Sequence, residues 1–183
     1  MPSGISARAA TDGMFIFRGI KYAKANRFEM PGRLDKSDDT IATVNFGYAC
    51  PAIYKSYPHD MYCVPSFFYP ESEDCLYMNI WTPTMDTGAR LPVMIWLHDG
   101  DWETGHGMVI YSCDGENLSR HGNVVVISIN HRLNFFGSLN LSEYGGKYRN
   151  SGCLCLADIV SALESVNGYW MRICSAWICN RYT

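Results

Sequence analysis

Two short polar stretches, each following an apolar run, hold most of the side chains that could do chemistry in this sequence. The first is His98-Asp99-Gly100-Asp101-Trp102, which closes the run LPVMIWL. The second is 130–132 (Asn-His-Arg), which closes the run NVVVISI. In open α/β sheets, ligands bind and chemistry takes place at the carboxyl ends of the strands. We therefore predict a functional site at the carboxyl end of the first apolar run.

A metal centre is one chemistry that the first stretch could support. His98, Asp99, Asp101 and His106 carry imidazole and carboxylate groups, which suit zinc or manganese. Neighbouring loop residues rarely converge on a metal without further ligands, however. The eight cysteines include no Cys-x-x-Cys pair, so a cysteine zinc site is weakly indicated. A solvated acidic loop is the favoured alternative, and we expect neither a metal nor an organic cofactor.

The elements that position these stretches are predicted to be strands of a parallel sheet. The run Leu91–Leu97 is continuously apolar apart from one proline, which is typical of a strand buried on both faces. Residues 123–130 repeat the pattern, and a helix start lies between them at Asp114–Leu118. Two such strands joined through a helix make a βαβ unit. The fold class is therefore α/β.

Further elements lie on both sides of this unit. Strands are predicted within 14–23 and 72–83, and both contain aromatic and β-branched residues. An amphipathic helix is predicted over 156–166, and its apolar side is expected to pack on the sheet. That side consists of Leu156, Ile159, Val160, Leu163 and Val166. Residues 167–183 show no clean periodicity.

Composition and charge exclude several classes of function. The 183 residues are 48% hydrophobic and 18% charged, which indicates one globular domain. The formal charge of −3 is dispersed, so neither nucleic acid nor an anionic membrane is an expected partner. No apolar run approaches the roughly 18 residues of a membrane span. The N-terminal stretch lacks the apolar core of a signal peptide, and we expect a cytoplasmic protein.

Five segments in order resemble the type B carboxylesterase and cholinesterase family of α/β-hydrolases. They are FRGIKYA (Phe17–Ala23), SEDCLYMNIWTP (Ser72–Pro83), LPVMIWLHDGDW (Leu91–Trp102), NVVVISINHRLNFFGSL (Asn123–Leu139) and LADIVSALESV (Leu156–Val166). The resemblance implies an incomplete α/β-hydrolase domain over residues 1–183, in which 167–183 is an atypical tail. It also implies acyl transfer from a small-molecule carboxylic ester through a serine nucleophile, without a cofactor.

The sequence departs from this family where the chemistry is done. It contains no Gly-x-Ser-x-Gly turn, the motif that carries the family's nucleophile, and the family's acid and base are likewise missing. The third stretch resembles the family's oxyanion loop, but Asp99 and Asp101 stand where the family has glycines. A carboxylate at Asp101 would repel the developing oxyanion. We therefore expect the chain alone to be inactive. The alternative is a non-catalytic binding or interaction remnant of the same fold.

The resemblance also implies two structural ion pairs, one between Arg27 and Glu73 and one between Arg132 and Asp158. A guanidinium that binds a carboxylate through two hydrogen bonds can fix a loop or a helix against the end of a strand. We expect the second pair to be at least partly buried.

Two cysteines match the family's first disulfide, namely Cys50 and Cys75. Because no signal peptide is apparent, we favour two adjacent reduced thiols over a disulfide.

The resemblance changes the expectation for one strand. In the family's strand order, residues 92–98 lie between 123–130 and the nucleophile strand. The sequence contains no nucleophile strand, so 92–98 should form a sheet edge with exposed apolar faces. An edge of this kind can pair with another chain, which makes self-association possible.

Overall fold

The computed structural model describes residues 4–6, 8–9, 13–34, 40–52, 69–108 and 113–179. These parts of the chain contain seven strands and three α-helices. The strands are β1 (Gly4–Ser6), β2 (Arg8–Ala9), β3 (Phe15–Lys21), β4 (Thr40–Ala42), β5 (Tyr77–Thr82), β6 (Val93–Leu97) and β7 (Val125–Ile129). The helices are α1 (Glu116–Gly122), α2 (Asn134–Ser138) and α3 (Leu154–Cys179). Short 3₁₀ turns occupy Thr87–Ala89, Ser142–Tyr144, Gly146–Tyr148 and Ser151–Cys153.

The main sheet has the strand order β2-β3-β5-β7-β6. Strands β6 and β7 are parallel and are joined through α1, which confirms the predicted βαβ unit. The other neighbours in this sheet are antiparallel. A separate two-stranded parallel sheet is formed by β1 and β4. None of the helices in the described ranges is both long and apolar enough to cross a bilayer.

Alternating side chains of β5 and β7 build a core on each face of the sheet. On one face, Ile80 and Ile127 belong to a buried cluster that also includes Ala162 of α3. On the other face, Trp81 and Val126 pack together. The backbone at Gly115, just before α1, approaches both of these side chains so closely that a Cβ there would lie 2.6 Å from Val126 and 2.8 Å from Trp81. Both faces of these central strands are therefore covered.

A bulge in β3 is held by polar side chains inside the sheet. The register between β3 and β5 shifts between Phe17 and Ile20, and Gly19 has a φ of +65°. The backbone N–H of Gly19 donates to Asn79 Oδ1 at 2.9 Å, and Asn79 Nδ2 donates to Ser128 Oγ at 3.0 Å. These buried polar groups thus satisfy one another and the amide that the bulge exposes.

Strand β6 corrects the expectation of a strand buried on both faces. Four of its five side chains are 42–48% exposed, namely Val93, Met94, Trp96 and Leu97. Within the described residues its one strand neighbour is β7, so it forms the edge of the sheet, as the resemblance predicted. An apolar run indicates a strand suited to burial, but its burial depends on the neighbours that actually cover it.

Helix α3 corrects the expected end of the amphipathic helix. The helix was predicted over 156–166, but it begins at Leu154 and continues to Cys179. Most of the atypical tail 167–183 is therefore helical, although its sequence shows no clean periodicity, and 180–183 lie outside the described residues. Asn167 and Gly168 directly follow Val166 and are residues that often end a helix, but α3 continues through both of them.

The buried side of α3 also differs from the prediction. Leu156, Val160 and Leu163 were expected to pack on the sheet, but they are 52%, 54% and 45% exposed. The helix instead turns Asp158 and Ser165 inward, together with the buried Leu154 and Ala162. Ile159 and Val166 do pack against the core, as expected.

The polar anchors explain this rotation of the helix. Asp158 reaches the Arg132 guanidinium, and Ser165 Oγ donates to the carbonyl of Tyr22 at 3.0 Å. Because both contacts are buried, turning the helix to bury its leucines would leave polar groups without partners.

Candidate functional site

The loop that follows β6 has an unusual backbone. Gly100, Asp101 and Trp102 have φ values of +111°, +54° and +64°, so three successive residues lie at positive φ. The carbonyl of Gly100 accepts the N–H groups of Glu103 at 2.9 Å and Thr104 at 3.0 Å. These bonds close the turn at the carboxyl end of the strand.

Close contacts explain why two glycines remain in this loop. A Cβ on Gly100 would lie 2.2 Å from the carbonyl oxygen of Thr104. A Cβ on Gly105 would lie 2.6 Å from the carbonyl oxygen of Asp99. Asp101 and Trp102 lack the backbone freedom of glycine, so the positive φ of each costs roughly 1–2 kcal/mol of conformational free energy. The loop therefore keeps a backbone shape that suits glycine better than the residues now present.

Two histidines stack where the predicted stretches meet. The rings of His98 and His131 are 4.7 Å apart and nearly parallel, with an interplanar angle of 6°. His98 Nδ1 lies 2.8 Å from the carbonyl oxygen of Asp99, and His131 Nδ1 lies 3.0 Å from that of Arg132. A carbonyl only accepts, so these bonds assign the ring proton to Nδ1 in both residues. The Trp102 ring lies 5.3 Å from His131.

The stacked pair is neutral at pH 7. Burial lowers the pKa of His98 from 6.5 to about 4, and it also lowers the pKa of His131. His98 Nε2 is buried and has no hydrogen-bond partner among the described residues. A charged ring here would lack solvation, so the pair resists protonation. This stacking was not predicted from the sequence, although both histidines closely follow the paired ends Leu97 and Ile129 of adjacent parallel strands.

Two asparagines hold the loop against the end of β7. Asn130 Oδ1 accepts the N–H of Gly107 at 2.7 Å. The backbone N–H of Asn134 donates to the carbonyl of Trp102 at 2.7 Å. The side-chain amide of Asn134 donates to the carbonyl of Pro51 at 2.9 Å. The loop after β6 is thus fixed by residues that follow the neighbouring strand.

The described residues offer no support for the zinc or manganese alternative. Within them, no group of three or more His, Cys, Asp or Glu side chains is placed to hold a metal ion. Asp99 and Asp101 are exposed, as a solvated acidic loop requires. His106 is buried and lies against Tyr69, with ring centroids 5.1 Å apart.

The structure brings Arg132 and Asp158 together in the core. Arg132 Nη2 and Nε donate to the two carboxylate oxygens at 2.7 and 2.8 Å, and the backbone N–H of Arg132 donates at 3.0 Å. The side chains are 4% and 0% exposed. Arg132 Nη1 also donates to the carbonyl of Glu29 at 2.7 Å. The pair therefore links the end of β7 to α3 and to the loop that contains Glu29.

Desolvation and pairing act against each other at this ion pair. Burial opposes ionisation of Arg132, but the hydrogen bonds and charge of Asp158 outweigh it and raise the pKa of the guanidinium. Burial also raises the pKa of the Asp158 carboxyl above its ordinary value, although the hydrogen bonds from Arg132 oppose that rise.

The pair of Arg27 and Glu73 lies at the surface. Arg27 Nε donates to Glu73 Oε2 at 2.7 Å, and Nη2 makes a second bond to Oε1. The side chains are 60% and 39% exposed. Water screens this pair, so it orients the loop but adds little stability.

Cys50 and Cys75 are both buried free thiols in the structure. A hydrogen bond that the Cys75 thiol donates to the Cys50 side chain, together with burial, raises the pKa of Cys75 well above its ordinary value. Cys50 Sγ also accepts the N–H of Leu133 at 3.2 Å. The two side chains are adjacent, as the resemblance implies.

Comparison with known proteins identifies the family. The model of the carboxylesterase family matches residues 3–169. The chain belongs to the carboxylesterase family. It is 35% identical over 168 residues to the para-nitrobenzyl esterase of Bacillus subtilis, an alignment that covers 88% of this chain and 31% of that enzyme. The described elements are accordingly part of an α/β-hydrolase fold.

Solved carboxylesterases have the same architecture as this member of the family. An esterase from Clostridium hathewayi that can hydrolyse aliphatic aromatic polyesters superposes with a TM-score of 0.80 and 41% identity, covering 84% of this chain and 31% of that one. A Geobacillus stearothermophilus carboxylesterase gives a TM-score of 0.72 and 36% identity, covering 88% and 32%. The chain thus spans about a third of the length of these relatives.

Proposed function

We propose that this chain is the N-terminal part of a carboxylic-ester hydrolase that acts by acyl transfer through a serine nucleophile. In this proposal, residues 98–102 form the region of the oxyanion loop. The observation that supports it is the run of positive φ values at Gly100, Asp101 and Trp102, directly after a parallel strand. The substrate class is a small-molecule carboxylic ester, and the reaction needs no metal or organic cofactor.

The chemistry of the loop follows from its backbone. Acyl transfer places a negative charge on the carbonyl oxygen of the ester, and backbone N–H groups aimed at that oxygen stabilise it. A carboxylate beside that oxygen opposes the same charge. Asp101 is exposed at this turn, so the loop has the shape for the task but an unfavourable charge.

A second part of the proposal is that the 183-residue chain alone does not turn over esters. A serine nucleophile, its base and its acid act as a unit, and the sequence has no Gly-x-Ser-x-Gly turn. We expect the purified chain to show no fluorophosphonate-sensitive hydrolysis of p-nitrophenyl butyrate. A complete carboxylesterase is the positive control. Fluorophosphonate-sensitive turnover by the purified chain would contradict the proposal. Slow, insensitive hydrolysis would not, since a surface histidine or thiol can cause it.

An interaction role is the alternative, and the exposed strand β6 favours it. A bare strand edge with apolar faces can pair with another copy of the chain. We expect the chain to sediment as oligomers and Trp96→Lys to shift it towards the monomer, because a charge on an edge strand opposes pairing. Tyr144→Lys is a matched control, since Tyr144 is 77% exposed but lies outside the sheet. A wild-type monomer at all concentrations would exclude this alternative.

A further inference from the structure

A groove of about 470 Å³ lies beside the start of α3, away from the loop after β6. Met30, Leu156 and Val160 form its apolar wall. All three are large apolar side chains that are 46–54% exposed. The groove has the volume of a small-molecule site, for which about 300–1,000 Å³ is usual.

The polar wall of the groove carries a single cation. It consists of Asn140, Ser142 and Arg149, which lie in the segment that precedes α3. No carboxylate lines the groove, and the Arg149 guanidinium forms no ion pair among the described residues. Asn140 Oδ1 already accepts the N–H of Ser142 at 3.1 Å, so the amide N–H₂ is the free part of that side chain. The polar wall therefore offers donors and a positive charge, which select an anion.

We infer that this groove binds an amphipathic carboxylate, namely a straight-chain fatty acid, because its volume admits a small molecule and its lining offers both an apolar strip and a cation. Its chain lies on Leu156 and Val160, and its carboxylate meets Arg149. The spacing of Leu156 and Val160 supports this, because residues four apart on a helix form one continuous strip. The inference rests on the groove alone and does not depend on an esterase activity.

Calorimetry with the intact chain tests the ligand class. Octanoate is the probe, used below its micelle concentration, and 1-octanol and butyrate are the comparators. We expect octanoate to bind more tightly than either. Each added CH₂ that leaves water strengthens binding by about two- to fourfold. Equal binding of octanol and octanoate, or no binding of octanoate, would overturn the inference.

Variants test the residues. We expect Arg149→Gln to weaken octanoate binding about tenfold, because a charge-assisted hydrogen bond is lost. Arg90→Gln removes the same charge from an exposed site outside the groove and should leave binding unchanged. Val160→Ser should weaken the binding of octanoate but not that of butyrate. Because Val160 is exposed, the variant should stay folded, which a thermal melt checks. Equal octanoate affinity of wild type and Arg149→Gln would refute the proposed contact between the ligand carboxylate and Arg149.

Cysteine labelling places the ligand in the groove. Cys153 is exposed and lines the groove, whereas the half-buried Cys155 does not. We expect octanoate to slow alkylation of Cys153 at least severalfold, as read by peptide mass spectrometry, and to leave Cys155 unchanged. An unchanged rate at Cys153 under saturating octanoate would show that the ligand binds elsewhere and would overturn the proposal.

Discussion

Strands β6 and β7 are neighbours with similar sequences and opposite surroundings. They read VMIWL and VVISI, and they pair in parallel from Val93 opposite Val125 to Leu97 opposite Ile129. All five residues of β7 are buried, whereas four of the five in β6 are exposed. Strand β7 has a strand on each side and cover on both faces, and β6 has one described neighbour. Apolar composition therefore indicates that a strand is suited to burial, but the position of the strand in the sheet decides whether it is buried.

The same contrast extends to the segments that follow the two strands. Strand β7 leads into a buried, fully paired Arg132, whereas β6 leads into a loop with an exposed Asp101 at positive φ. The region after β7 is therefore fixed by packing and charge pairing, and the loop after β6 by hydrogen bonds within the loop and with Asn130 and Asn134. The predictions below test this difference.

The largest effect is expected at the buried ion pair. Asp158→Asn keeps the shape of the side chain but leaves the Arg132 guanidinium buried without a counter-charge. We expect it to lower the free energy of unfolding by about 3–5 kcal/mol, or to prevent folding. The matched control is Glu73→Gln, whose solvent-exposed pair with Arg27 should contribute little to stability. Urea unfolding measures the loss of stability in both variants. Equal losses would show that the pair of Arg132 and Asp158 is not buried.

The next effect compares the strands directly. Ile127→Ala in β7 opens a cavity in the core and should cost about 2–5 kcal/mol. Leu97→Ala in β6 removes a side chain that is 46% exposed and should cost well under that. Chemical denaturation of the two variants under identical conditions gives the comparison. A loss at Leu97 as large as that at Ile127 would mean that β6 is covered in solution.

A smaller effect concerns pH and the stacked histidines. The pKa of His98 is about 4 in the folded chain and 6.5 ordinarily, so the unfolded chain binds more protons between these values. Stability is therefore highest above pH 6.5 and is lost as the pH falls towards 4. Because the side chain is only partly buried, we expect His98 to account for on the order of 2 kcal/mol of that loss. His98→Gln should flatten the pH dependence, and parallel curves for the variant and wild type would contradict the stack.

The smallest effect is expected in the loop after β6. Asp101→Gly should stabilise the chain by about 1 kcal/mol, because glycine relieves the positive φ. The same replacement at Asp99, which does not lie at positive φ, should be neutral or destabilising. Thermal melts of the two variants distinguish them. A destabilising Asp101→Gly would show that the carboxylate, and not the backbone, holds the loop.

Much of the fold could be predicted from the sequence where local pattern and final environment agree. The apolar runs of β6 and β7 and the helix between them predicted the βαβ unit. The face of α3 could not be predicted, because Leu156, Val160 and Leu163 follow a helical period that two buried polar contacts override. Those contacts, from Asp158 to Arg132 and from Ser165 to Tyr22, join residues far apart in the chain.

The candidate site was predictable in place but not in detail. The ends of parallel strands indicated where it lies. The stacking of His98 on His131 depends on the register of β6 against β7, which no local pattern contains.

Hydrogen exchange resolved at single amides tests most directly whether the sheet of this chain ends at β6. Alternate N–H groups along an edge strand point away from its neighbour. In the dilute chain we therefore expect alternating slow and fast exchange along 93–97, and slow exchange at every amide of 125–129. Protection of the fast amides should increase with concentration if copies pair through this edge. Uniformly slow exchange along β6 at the lowest concentration, matching β7, would contradict the account.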